Sequence, residues 1–295
     1  MILKTYFSPA LICLITLHAL SLYSMSSEEK KDLEKFLFTK ENWEKPAHLQ
    51  TIKKIFTDKT KLAQLKNSTN MFNNNLAHMA AKYGDSETMQ LLLTNMPNSN
   101  NEFINHANNQ GDTPLIAATF SQTLNPQMIQ ILLDNKADKN STNKDGGSAL
   151  TYVAAYGTPE LIKLLVDNYK FQVSLKQNFP PLVMAVFLQK IDNVRTLLEL
   201  GTDSNGIRQN RTALYWAIYK YNEARDTEKK DTALTIARIL LAHGANPDLQ
   251  PSSTFPSART LWKSYGLDDN LNEIGLSALL TNLAHDLTAL AHIAQ

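Results

Sequence analysis

The residues best placed to do chemistry in this sequence are a histidine and two nearby carboxylates: His78, Asp85 and Glu87. An imidazole beside a carboxylate can act as an acid–base pair, so this group is the strongest catalytic candidate. The pair Gly146-Gly147 lacks the further glycines and the lysine of a phosphate-binding loop, and no serine lies in a nucleophile elbow. Catalysis therefore has little support beyond one histidine, and we expect a protein that is not an enzyme.

Metal and sulfur chemistry have even less support. The only cysteine is Cys13, which lies in the apolar N-terminal stretch, so a processed chain would hold no thiol and no disulfide. His285 and His292 are seven residues apart, too far for a strong metal pair without further ligands. We expect structural or solvent-facing roles for both histidines, and we expect no cofactor.

Charge also limits the partners. The 295 residues carry 29 basic and 28 acidic side chains, and removal of residues 1–24, which contain Lys4 and no acid, leaves 28 of each. A neutral chain lacks the positive footprint that general nucleic-acid or anionic-membrane binding needs. With 43% hydrophobic residues the chain can bury a real core, and from its charge we expect no nucleic-acid partner.

The N-terminal residues 1–24 have the features of a signal peptide for export. Lys4 precedes an apolar run from Ala10 to Leu22, and charge then appears abruptly at Glu28. The apolar run is about 13 residues, short of the roughly 20 that a membrane-spanning helix needs, and it follows Pro9. The sequence predicts an exported protein, secreted or periplasmic; the alternative is an uncleaved anchor, which would place the protein at a membrane.

One repeated sequence pattern dominates the remainder of the chain, so the structure of this repeat must position any functional residue. A capping residue, a leucine and small alanines open each copy, and a pair of leucines follows. The copies begin at Asn75, Thr113, Ser148, Pro180 and Thr212, with a degenerate sixth at Ser257. The paired leucines are Leu92-Leu93, Leu132-Leu133, Leu164-Leu165, Leu197-Leu198 and Leu240-Leu241.

Each copy predicts a helix–loop–helix unit that follows a tight turn. Thr113, Ser148 and Thr212 can each bond the free N–H groups of the first helical turn, and proline is tolerated just after such a cap. Small alanines allow close approach between neighbouring inner helices. Glycine favours the left-handed conformation that ends many helices, and we expect it at three positions: Gly84, Gly157 and Gly266.

This pattern resembles the ankyrin repeat. The matching features are the Thr-Pro-Leu opening at Thr113, the Ala80-Ala81 centre, the helix-ending glycines, the paired leucines and the Gly-Ala-Asn exit at Gly244. Histidine stands at the fourth motif position only as His78, and Pro180 replaces a capping hydroxyl. The resemblance implies an all-α ankyrin-repeat solenoid with β-turn or hairpin fingers, and it explains His78 as a turn-stabilising hydrogen bonder rather than a catalyst.

The two ends of such an array need capping elements, because terminal repeats would otherwise expose an apolar face to solvent. Apolar side chains at helical spacing predict a helical N-terminal cap or half repeat over residues 25–70. The array would occupy 71–275, and a closing helix with one leucine stripe would occupy 276–295. The fifth copy carries about 11 extra residues from Tyr221 to Asp231, which we expect to lengthen both of its helices and join them by an exposed connection.

The ends of the inner helices predict a binding surface, since the resemblance puts partner contacts there. Every copy has an aromatic residue near this point, and aromatic side chains dominate interface hot spots. The alternative is that these rings pack between adjacent repeats. The predicted contacts on the helices are Tyr83, Phe120, Tyr156, Phe187, Leu188, Tyr219 and Tyr265. The predicted contacts on the fingers, which would set specificity, are Asn109, Lys144 and Arg208.

The sequence therefore predicts an exported, non-catalytic scaffold that binds an unidentified protein through its concave face and fingers. Two rivals stay open at this point. One is an inhibitor or accessory subunit that blocks the active site of another protein. The other is a structural envelope protein retained by an uncleaved N-terminal segment.

Overall fold

The computed structural model describes residues 25–96, 101–120, 124–173 and 179–266. The predicted signal segment 1–24, the closing helix 276–295 and its histidines 285 and 292 lie outside the described residues. The chain divides into two compact units, residues 1–144 and 145–295. No helix within the four described ranges is both long and apolar enough to cross a bilayer.

The first unit is built from short helices joined by tight turns. Its helices are α1 (Ser27–Leu37), α2 (Lys40–Glu44), α3 (Pro46–Phe56), α4 (Lys59–Leu65), α5 (Leu76–Tyr83), α6 (Ser86–Asn95), α7 (Asn101–Ile104), α8 (Pro114–Thr119) and α9 (Pro126–Asp134).

Helices in this unit stack in two layers. The inner helices α2, α5 and α8 pack in series, and the outer helices α3, α6 and α9 form a parallel series. The pair α2 and α3 thus stacks on α5 and α6 in the manner of a further repeat, within the segment predicted as a half repeat. Its core centres on Trp43, whose Nε1 donates to the Leu37 carbonyl oxygen at 2.6 Å and whose ring lies 6.0 Å from that of Phe56.

The second unit repeats the arrangement. Its elements are α10 (Ala149–Tyr156), α11 (Pro159–Asp167), α12 (Pro181–Phe187), α13 (Ile191–Glu199), β1 (Ile207–Arg208), β2 (Arg211–Thr212), α14 (Ala213–Glu223), α15 (Thr227–Ala242) and α16 (Ala258–Ser264). The inner helices α10, α12, α14 and α16 pack in series, as do the outer helices α11, α13 and α15. The predicted all-α fold with hairpin fingers is confirmed.

Helix starts follow the predicted capping chemistry. The hydroxyls of Thr113, Ser148 and Thr212 accept hydrogen bonds from backbone N–H groups three residues on, and Ser257 does the same for α16. Pro180, which lacks a hydroxyl, makes no side-chain cap. Because each cap satisfies a donor that would otherwise be unpaired, it sets where the inner helix begins.

The prediction of a left-handed glycine at the end of the inner helix is wrong at two of three positions. Gly266 is left-handed with φ +69°, but Gly84 and Gly157 are extended, with φ −82° and −87°. Their requirement is space: a Cβ would lie 2.7 Å from the Ala80 carbonyl oxygen at Gly84 and 2.7 Å from that of Val153 at Gly157. The chain turns too close to the preceding helical turn for any side chain.

The extra residues of the fifth copy lengthen its helices as predicted. Helix α14 has 11 residues and α15 has 16, whereas α10 and α11 in the same unit have 8 and 9. Only residues 224–226 separate the two long helices, and Asp226 caps the second by accepting from the Lys229 N–H at 2.8 Å. Asn222, Glu223, Arg225 and Asp226 are exposed, so the connection faces solvent.

Candidate functional site

The first unit contains an open groove of about 520 Å³ between the ends of its inner helices and two fingers. We define the first finger as residues 70–74 and the second finger as residues 108–112. The groove is lined by Phe38, Lys40, Asn70, Phe72, Asn74, His78, Met79, Lys82, Tyr83, Asn108, Asn109, Gln110, Asp112, Ala117 and Phe120.

Asparagine side chains build both fingers. In the second finger, Asn108 Oδ1 accepts from the Gln110 and Asp112 N–H groups at 2.9 and 3.0 Å. Asn70 does the same for Phe72 and Asn74 in the first finger, at 3.0 Å each. These side chains replace backbone partners and so stabilise the turn in each finger.

The two fingers are also joined to each other. Asn108 Nδ2 donates to Asn74 Oδ1 at 2.8 Å, and the Asn109 N–H donates to the Phe72 carbonyl oxygen at 3.0 Å. Groups that are already ordered lose less entropy when a ligand binds. The polar wall of the groove is therefore preorganised.

His78 forms part of the groove wall and has a structural role, as the sequence implied. Its Nε2 lies 2.8 Å from the Asp112 carbonyl oxygen, which can only accept, so Nε2 is the donor. Its backbone N–H donates to Asn75 Oδ1 at 3.1 Å, which caps α5. Burial, helped by nearby His106, lowers the pKa of His78 to about 4, so the ring is neutral at pH 7.

The carboxylates that could have formed an acid–base pair with His78 are engaged elsewhere. Asp85 caps α6 by accepting from the Thr88 N–H at 2.8 Å, and its Oδ2 lies 2.7 Å from Lys53 Nζ. Glu87 pairs with the same lysine. Hydrogen bonds from Lys53 and Thr88 outweigh burial and lower the pKa of Asp85. This arrangement stabilises the junction of α3 and α6.

Apolar rings are exposed at the groove. Phe72 is 59% exposed and Phe120 is 37% exposed, and Tyr83 is half-buried beside Lys82, whose Nζ lies 5.4 Å from the ring centre. Met71, at the tip of the first finger, is 83% exposed. Sequence reasoning missed Met71 and Phe72; the available signal was two large apolar residues set among the turn-forming asparagines 70 and 73–75.

Three of the predicted contacts in the first unit thus meet at one place. Tyr83, Phe120 and Asn109 all line the groove. Lys144 is exposed and does not line it, although its backbone N–H donates to the Gln110 carbonyl oxygen at 2.9 Å.

In the second unit the predicted contacts divide into two kinds. Tyr156 is 56% exposed. Phe187 and Tyr219 are half-buried and both contact Trp216 edge to face, with ring centres 5.3 and 5.8 Å apart. Tyr156 is therefore open to contact, whereas Phe187 and Tyr219 take part in packing within the unit.

The remaining predicted contacts in the second unit are Arg208, Tyr265 and Leu188. The Arg208 guanidinium lies 3.8 Å from the ring centre of Phe179 and 5.5 Å from that of Phe187, and burial lowers its pKa. Tyr265 is half-buried, and burial raises its pKa. Leu188 is half-buried beyond the end of α12. A carboxylate of Glu223 accepts from the Tyr219 hydroxyl at 2.6 Å and raises the pKa of Tyr219.

Helix pairs that stack in series and are joined by finger-like turns define a helical repeat protein. A family model described as "Ankyrin repeats (3 copies)" matches residues 45–143 and 121–208, more than half of the chain. The chain belongs to the ankyrin repeat family. Ankyrin repeat domains are typically protein–protein interaction modules and are generally not catalytic.

Several known proteins are similar to this chain. The nuclear factor NF-kappa-B p105 subunit of Gallus gallus is 28% identical over 155 residues, which cover 50% of this chain and 16% of that protein. An ankyrin repeat domain from Acinetobacter baumannii has a TM-score of 0.55 and 22% identity, covering 68% of this chain and 96% of that one. The human ASB11 ankyrin repeat domain has a TM-score of 0.55 and 20% identity, covering 77% and 96%. At this identity the two structures show the fold alone.

Proposed function

We propose that this protein is a non-catalytic scaffold that binds a segment of another protein in the groove of its first unit. The observation that supports this most directly is the meeting of Tyr83, Phe120 and Asn109 around one open cavity. The place of each residue in the repeat predicts that it contacts a partner. Their convergence on a groove matches what binding requires.

The groove chemistry suits a peptide segment. The rings of Phe72 and Phe120 supply apolar contact area, and the side chains of Asn109 and Gln110 supply donors and acceptors for a peptide backbone. A cavity of about 520 Å³ falls within the ordinary range of ligand sites and can take one or two large side chains. The partner would therefore place an apolar residue between the fingers and inner helices.

The test is affinity capture by the full chain, followed by titration of the partner identified by mass spectrometry. Tyr83→Ala combined with Phe120→Ala should weaken binding by about 2 kcal/mol or more, the scale of an interface hot spot. Gln90→Ala is the matched control, because Gln90 is exposed on outer helix α6 and does not line the groove. Equal binding by the double variant and the control, with both folded, would reject the groove as the binding site.

We further propose that the chain is exported and that residues 1–24 are removed. The basic Lys4, the short apolar run and the abrupt return of charge support this proposal. N-terminal sequencing of the native protein from culture medium or periplasm should find a start near residues 22–27. A native chain that begins at Met1 and sediments with membranes would support an anchored protein instead.

A further inference from the structure

The hairpin finger of the second unit, residues 207–212, holds two arginines side by side. Strands β1 and β2 pair antiparallel with Arg208 directly opposite Arg211. The turn residues Gln209 and Asn210 have φ +52° and +59°, the conformation of a tight two-residue hairpin turn. Directly opposed residues project from the same face of the hairpin, so two positive charges are held close together.

Aromatic rings support both guanidinium groups. The Arg211 guanidinium carbon lies 3.5 Å from the ring centre of Phe255 and 5.1 Å from that of Trp216. Arg208 lies 3.8 Å from Phe179. A guanidinium stacked on a ring keeps its N–H edge available for a planar acceptor such as a carboxylate. These contacts hold each guanidinium group against an aromatic ring.

This cluster has more donors than acceptors. Among the described residues, neither Arg208 nor Arg211 forms an ion pair, and Arg211 donates only a 3.4 Å bond to the Gln209 carbonyl oxygen. Arg208 Nε and Trp216 Nε1 are buried without a hydrogen-bond partner in the same part of the structure, and the whole Trp216 residue is only 8% exposed. Two like charges held directly opposite each other cost free energy, which an acidic ligand would recover.

Two carboxylates in the described part of this unit, Glu223 and Asp248, are already committed to other groups. Glu223 lies 3.3 Å from Lys220 and accepts from Tyr219, and Asp248 forms a two-bond pair with Arg259 at 2.7 and 3.1 Å. Lys220 Nζ also lies 4.3 Å from the Phe187 ring centre, but Glu223 balances its charge. The local excess of positive charge thus occurs in a chain that is nearly neutral overall.

We propose that this arginine cluster, Arg208 and Arg211 on their aromatic supports, binds the side-chain carboxylates of an acidic segment in the protein partner. The proposal rests on the proposed function and names the chemistry of a second contact. A nucleic acid fits less well, because the arginines cover the faces of Phe179 and Phe255 that bases would need for stacking.

The test measures binding of a fluorescently labelled ten-residue oligoglutamate to the full chain, by fluorescence anisotropy at low salt. Arg208→Gln and Arg211→Gln should each weaken binding about tenfold, the scale of one charge-assisted contact. Arg211→Lys should recover only part of the loss, because lysine keeps the charge but not the planar fork. Arg238→Gln is the matched control, since Arg238 is exposed on outer helix α15, and it should bind as the unchanged chain does.

Three outcomes would overturn the proposal: no binding of oligoglutamate, equal loss in the Arg238→Gln control, or tighter binding of a ten-residue oligothymidylate. Thermal unfolding of each variant separates loss of binding from loss of fold. If oligoglutamate fails while partner capture still depends on Tyr83 and Phe120, the cluster proposal falls and the groove proposal stands.

Discussion

His78 Nε2 donates a hydrogen bond to the backbone carbonyl oxygen of Asp112 at 2.8 Å, across 34 residues of sequence. The bond joins the first turn of inner helix α5 to the residue just before Thr113, which caps the next inner helix, α8. Both bonded residues line the groove. One buried, neutral imidazole therefore helps to set both the position of the second finger and the stacking of consecutive repeats.

The first prediction concerns pH. Because the pKa of His78 falls from 6.5 to about 4 on folding, the unfolded chain binds more protons between these values, and stability must fall as pH is lowered through this window. The loss should be roughly 2 kcal/mol at pH 5 and roughly 3 kcal/mol at pH 4 relative to pH 7. Urea unfolding at several pH values measures it.

His78→Gln should flatten this dependence while lowering stability at pH 7, because glutamine does not titrate. His243→Gln is the control, since His243 is exposed at the end of α15. An unchanged pH slope in His78→Gln would show that other groups cause the acid sensitivity.

The second prediction concerns Lys53, which joins α3 to α6. Its side chain is 10% exposed and bonds both Asp85 and Glu87, whereas those carboxylates are 44% and 67% exposed. Both carboxylates can be hydrated again when the lysine is removed. Lys53→Ala should therefore lower the free energy of unfolding by about 1–2 kcal/mol, less than the penalty for a buried charge left without a partner. Lys54→Ala, an exposed neighbour on the same helix, should change the free energy of unfolding by less than about 0.5 kcal/mol. Equal effects would mean that the ion pairs add nothing to the junction.

The third prediction separates two uses of glycine. Gly157→Ala should lower stability by about 2 kcal/mol, because the new Cβ would lie 2.7 Å from the Val153 carbonyl oxygen. Gly201→Asn should cost less than about 1 kcal/mol, since Gly201 has φ +85° with no neighbour within 4 Å, and asparagine tolerates this conformation. Chemical denaturation of both variants tests the order, and a reversed order would contradict the steric explanation.

The fourth prediction distinguishes recognition from packing among the predicted contacts. Tyr156 is 56% exposed, so Tyr156→Ala should leave the unfolding midpoint nearly unchanged. Phe187→Ala should cost about 2 kcal/mol, because the ring is half-buried and packs edge to face on Trp216 at 5.3 Å. Calorimetry gives both midpoints. If Tyr156→Ala loses as much stability as Phe187→Ala, the ring of Tyr156 belongs to the core.

By itself the sequence determined the repeat, the inner helix starts and the long fifth copy. These features depend on interactions within a few residues, such as the Thr113 cap on the Ile116 N–H, and they recur at a regular spacing. A repeated local rule can be recognised without knowing which distant residues meet. For the same reason, the aromatic positions at the ends of inner helices could be named before their neighbours were known.

Only the tertiary structure decided what those residues contact. Nothing near Arg208 in the sequence indicates that Phe179 lies beneath it, and nothing near Lys53 indicates Asp85 and Glu87. The wrong backbone conformation predicted for Gly84 and Gly157 has the same cause. A left-handed turn and a close backbone approach both require glycine, and only the tertiary structure shows which of the two is present. The groove likewise depends on hydrogen bonds between fingers 34 residues apart, as between Asn108 and Asn74, whose partners become neighbours only when the repeats stack.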